Sequence, residues 1–169
     1  MVTSRNHRYC FIALLPLPIL LLVSLSCSRE IPVERILRRI NFEYTLDEEG
    51  DFRVNVRLDD GREAIVGISS VVVGKEIRVR SMWSVAGRIP GKLPYGLAEN
   101  LLADVWKSRT LGGWALAGVT SDGRHVLVYV TRIPISSSVR VFKSALVYTA
   151  KSAINLREAL SHLEENAVP

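Results

Sequence analysis

Four carboxylates crowd around one glycine in Asp47–Asp51, DEEGD. Oxygen-rich runs can hold Ca2+, and a close pair of carboxylates can serve as acid and base in hydrolysis. A helix-loop-helix calcium loop wants oxygens at alternate positions, then glycine, then a glutamate at the twelfth place. Counted from Asp47, Gly50 comes too early and the twelfth position is Leu58. The flanks alternate apolar and polar, so the run reads as a polar turn between strands.

The other reactive residue types are as sparse. His125 follows a turn, and His162 falls near a helix end, where the dipole favours a cation. Neither has Cys, Asp or Glu at zinc-ligand spacing. No Gly-x-Ser-x-Gly occurs, and Ser136–Ser138 read as a helix cap. Lys75 follows Gly74 without a phosphate loop around it. The expectation is a protein without catalytic residue, metal or cofactor. Arg53, Arg57, Arg78 and Arg80 alternate along two strands and are expected to form a basic stripe on an exposed sheet face. Trp83, Trp106 and Trp114 are expected in the core, Trp83 on the inward side with Ile77, Val79 and Val85.

The elements that would carry these residues follow from periodicity. Val33–Ile40 has helical spacing, with Arg35, Arg38 and Arg39 opposite its apolar side. The period then becomes two: Phe42, Tyr44 and Leu46, then Phe52, Val54, Val56 and Leu58. Asp60-Gly61 turns the chain into Glu63–Ser70, and Ile77–Val85 follows Gly74-Lys75. Arg88–Pro94, RIPGKLP, is expected to break the sheet. Tyr95–Arg109 reads as a helix with Leu97, Leu101, Leu102, Val105 and Trp106 on one side. A hairpin follows, Trp114–Val119 and Val126–Ile133, turning at Asp122-Gly123. Pro134 stops it before a final helix from about Val139 to about Glu165. The expected fold is α+β, α-β-β-β-β-α-β-β-α, an antiparallel meander with helices on one face.

The chain's 169 residues divide into three expected parts. Residues 1–26 read as a signal peptide: Arg5 and Arg8, the apolar run Phe11–Val23, then small Ser24 and Ser26 before Cys27. The run is shorter than a stable membrane span. An ordinary or a lipoprotein signal peptidase would cut at the same bond. Cleavage would leave Cys27 as the one remaining thiol, which favours its lipidation. Residues 27–32 would be a tether and 33–165 a single domain. Loss of Arg5 and Arg8 lowers the formal charge from +5 to +3. The expected setting is a bacterial envelope, with the lipid on Cys27 in a membrane, a protein partner, and no nucleic acid.

The order of a helix, YTLDEEGDFRVNV, a meander, LAENLLADVW, GGWALAGVTSDGRHVLVYVTRIPIS and a long last helix resembles the YbjN-type family of bacterial sensory transduction regulators. These share the fold of class I type III secretion chaperones. The resemblance covers about Val33 to Leu163. It implies a non-catalytic, chaperone-like domain that binds protein, often as a homodimer through sheet or helix surfaces. The expected export signal would set this chain apart from that family, whose members are mostly cytoplasmic. A second function class consistent with the residues is an envelope protein that binds a small ligand or lipid between sheet and helices.

Overall fold

The computed structural model describes residues 31–73, 77–90, 95–108 and 112–165. The signal, Cys27 and most of the tether lie outside these residues. Helix α1 (Val33–Arg39) carries Glu34 in its first turn and Arg38 and Arg39 in its last, complementing the helix dipole. Glu34 and Arg38 pair one turn apart at 2.7 Å. Ile36 and Leu37 are fully buried. The chain leaves the helix through Asn41, at φ 58°, which lets the Phe42 N–H reach Leu37 O at 3.1 Å.

Six strands follow: β1 (Tyr44–Leu46), β2 (Phe52–Arg57), β3 (Glu63–Val73), β4 (Ile77–Pro90), β5 (Gly112–Val119) and β6 (Arg124–Pro134). Helix α2 (Tyr95–Ser108) lies between β4 and β5, and α3 (Val139–Glu165) ends the fold. The sheet order is β1-β2-β3-β4-β6-β5, and every neighbouring pair is antiparallel. The α+β class and the order of elements are those expected. Ser138 Oγ accepts the Val141 N–H at 3.3 Å, capping α3.

All three helices cover one face. The core joins Ile36 and Leu37 of α1, Val54, Val56, Val66, Ile68 and Met82 of the sheet, and Phe142, Leu146 and Ala150 of α3. Helix α2 lies beside α3, where Leu97 and Leu101 border a crevice with Trp114 and Tyr148. Leu102 is exposed rather than packed. The side chain of Trp106 lies outside the described residues.

Strand β4 departs from expectation twice. It runs on to Pro90, because a bulge between Val85 and Gly87 lets Arg88, Ile89 and Pro90 pair with Val126, His125 and Arg124. A bulge adds one residue and swaps the faces beyond it, so Ile89 is buried. The larger correction concerns which side faces in. Arg80, Met82 and Ser84 point to the helices, while Trp83 is only half-buried and Val85 and Ile77 are exposed. Register dictates this: Met82 lies opposite Ile68 and Trp83 opposite Gly67, and partners in register share a face.

Candidate binding face

The helix-free face begins on β2, where Arg53, Asn55 and Arg57 alternate with buried Val54 and Val56. Asp47 organises the hairpin below it. The amide N–H groups of Glu49 and Asp51 donate to Asp47 Oδ1 at 3.1 and 2.9 Å. Arg53 Nε donates to Asp47 Oδ2 at 2.9 Å. Burial works upward on the Asp47 carboxyl, but the Asp51 N–H and the Arg53 guanidinium outweigh it and hold it below the usual range. Burial and the carboxylates of Asp47 and Glu49 push Asp51 up. The acidic run therefore serves a turn and one arginine.

Arg53 lies over the Trp83 ring, 5.3 Å from its centroid. Beneath that ring is Gly67, where an added Cβ would stand 2.4 Å from Trp83 Cε2 and Cζ2. The indole thus lies flat on the sheet only because the next strand offers bare backbone. Arg57 pairs with Glu63, whose other oxygen accepts from Asn55 Nδ2 at 3.1 Å. Those two donors lower the Glu63 pKa.

Next to Trp83 the sheet forks. The β3–β4 ladder runs from Val73 and Ile77 to Gly67 and Trp83, and stops. Beyond it β3 stays with β2, and β4 stays with β6. Backbone carbonyls left without a ladder partner need other donors. Ser84 Oγ donates to Ile65 O at 2.9 Å, and Arg157 Nη2, reaching from α3, donates to Val85 O at 2.6 Å. One residue from Arg157, Glu158 pairs with Arg62 at 2.7 Å at the β2–β3 end.

The fork opens a groove of about 610 Å³ bordered by Arg53, Glu63, Ile65, Trp83, Val85 and Arg157. A second hollow of about 650 Å³ continues from Arg53, Asn55 and Ile65 towards Tyr44 and Arg38. Ile65 is 62% exposed and Val85 42%, large apolar side chains left in water on the rim of the groove. Across the sheet, Val85 stands level with Val128 and Ala115, and Trp83 with Val130 and Gly113. Two apolar rows therefore cross this side of the sheet, with Val128 itself buried.

Of the four arginines read as one stripe, only Arg53 and Arg57 share this face. Arg80 is fully buried. Its Nη2 donates to Ile31 O, and its guanidinium lies 5.6 Å from the Phe142 ring centroid. Arg78 is exposed on Arg80's side of β4. Cys27 lies outside the described residues. Sequence reasoning missed Trp83, Ile65, Val85 and Arg157 as surface groups. One signal for the groove was present: glycine inside a strand pattern marks a close approach. Trp114 is half-buried on the helix side, edge-on to Tyr129 at 4.8 Å.

Among the described residues no cluster of His, Cys, Asp and Glu could hold a metal ion, and no helix is long and apolar enough to cross a membrane. No protein-family model matches this chain, and no curated protein matches it.

Proposed function

We propose that this chain is a non-catalytic protein-binding module of the bacterial envelope, held at a membrane by lipid on Cys27, and that it takes its partner on the open sheet face. The observation that carries the reading is the fork groove: an apolar surface around Trp83, Ile65 and Val85 on the face without helices. The resemblance of its element order to YbjN-type and type III chaperone domains supports it, as does the lone cysteine after the signal-like segment. A tether raises the effective concentration of any membrane-borne partner, so a weak contact on this face suffices.

The test is a photoreactive amino acid at Ile65 in the full chain, expressed in a bacterial host, beside one at Lys143 on α3. A discrete adduct at Ile65 alone, identified by mass spectrometry as one protein, is expected. No adduct at Ile65, or equal adducts at both positions, overturns the reading. Intact mass with and without Cys27→Ala tests the anchor, which requires acyl mass only in the native chain.

A second reading is favoured by a different observation. Trp114 Nε1 is buried with no acceptor among the described residues, beside a crevice of about 510 Å³ between α2, α3 and β5. A small molecule with an acceptor would fit there. Native mass spectrometry of the purified chain distinguishes the two, since only this reading requires a co-purifying ligand.

A further inference from the structure

Charge on the open face is not balanced. Arg53 is neutralised by Asp47, and Glu63 by Arg57. Three exposed arginines remain: Arg88 beyond the bulge, Arg157 and Arg132. Arg157 makes its one hydrogen bond among the described residues to Val85 O, a neutral acceptor. Arg132, level with Ser81 on β6, makes none among them. Between Arg157 and Arg132 runs the apolar row of Trp83 with Val130. Gly67 and Gly113 lie in the Trp83 row and keep the surface low beside the indole.

From this arrangement we infer that the open face receives an extended segment of a partner protein that carries two acidic residues with an apolar one midway. The inference rests on the reading of this face as partner-binding and specifies the partner's chemistry. The spacing follows from the strands. Arg132 is level with Ser81, and Arg157 is fixed at Val85, four residues further along β4. Four residues of strand rise about 13 Å. An extended segment lying along β4 covers the same distance between positions i and i+4, and its i+2 side chain points the same way. That side chain meets Trp83 and Val130. An acidic residue at each end meets a guanidinium that no described carboxylate neutralises. Arginine suits this role, since its planar fork holds a carboxylate with two donors. A lipid headgroup would satisfy the charges but would leave unexplained a flat apolar floor between them.

The experiment uses the full chain and a fluorescein-labelled peptide with aspartates four residues apart, leucine midway and serines between. Polarisation should rise saturably and fall with added salt. Arg157→Glu and Arg132→Glu should each weaken binding roughly tenfold, and replacing both aspartates of the peptide with lysine should abolish it. Arg140→Glu, on the helix side, should change nothing. Arg157→Gln, which keeps a donor for Val85 O, serves if Arg157→Glu fails to fold. Equal binding of the lysine peptide, or no loss in either arginine variant, refutes the inference. Full displacement of the peptide by phosphatidylglycerol vesicles, with tighter binding to them, also refutes it, in favour of a membrane surface. If Ile65 still cross-links to a protein while the peptide does not bind, the acidic-segment inference fails and the partner-binding reading stands. Loss of both signals ends both.

Discussion

Replacing Gly67 with alanine adds one methyl to the floor of the groove, and its cost can be worked from two opposed terms. Alanine is favoured over glycine inside a strand by about 0.5–1 kcal/mol. Against this, the new Cβ would sit 2.4 Å from two carbons of the Trp83 ring and 2.9 Å from its nitrogen. The ring must lift, and with it goes the Arg53 guanidinium stacked above. Overpacking of this kind costs about 1–3 kcal/mol. The balance of the two central values is a loss of about 1 kcal/mol, read as a lower urea midpoint at unchanged slope in equilibrium unfolding followed by circular dichroism. A Gly67→Ala, Trp83→Leu double variant should recover most of the loss, because leucine has no ring to strike. A single variant as stable as the parent, or a double variant showing strictly additive losses, refutes the account of Trp83 lying on bare backbone.

Three further outcomes follow from the core and the turns. Arg80→Ala should lower stability by about 2–4 kcal/mol in the same unfolding assay, since it opens a cavity beside Phe142 and strands Ile31 O. Arg80→Glu should leave too little folded protein to measure. Thr149 Oγ1 bonds Thr131 Oγ1 and Ala145 O, both at 2.8 Å in the core. Thr149→Val should cost about 1–3 kcal/mol by leaving a buried hydroxyl unmatched, while valine at both positions should cost less. Acid titration should expose the carboxylates: Asp47, Asp60, Glu63 and Asp122 all have lowered pKa values. Their stabilisation is present above the unfolded carboxylate range, near pH ~4, and is lost as pH falls through the folded values. Asp51, raised, works the other way, its contribution lost as pH rises through its folded value. Stability against pH should therefore fall on the acid side, and Asp47→Asn should flatten that limb.

Much of the fold was legible because local and global preferences agree. Val54 and Val56 face in, Arg53 and Asn55 face out, Gly61 and Gly123 take the positive φ of their turns, and Ser138 caps its helix. Strand β4 was misread because Ile77, Val79, Trp83 and Val85 make the more apolar side by composition. What decided its facing was the row Val54–Val66 and the pair Ile68–Met82, a register passed from one hairpin strand to the next that the composition of β4 alone does not show. The same cause moved two of the four candidate arginines off the face. It also hid Arg157, whose place at Val85 depends on where α3 crosses a fork that no local pattern announces.

That fork divides the sheet into two three-stranded leaves, β1-β2-β3 and β4-β6-β5, joined along one spine from Gly67–Trp83 to Val73–Ile77. One turn of α3 grips both leaves where they part. Asn155 and Glu158 take Arg62 of the first, at 3.2 and 2.7 Å, and Arg157 takes Val85 of the second. The helix thus acts as a clasp worked from behind. The angle between the leaves, and so the gape of the groove, is set by side chains rooted on the opposite side of the sheet. Substitutions at Arg62 or Glu158 can retune that gape without touching the face that Trp83 presents.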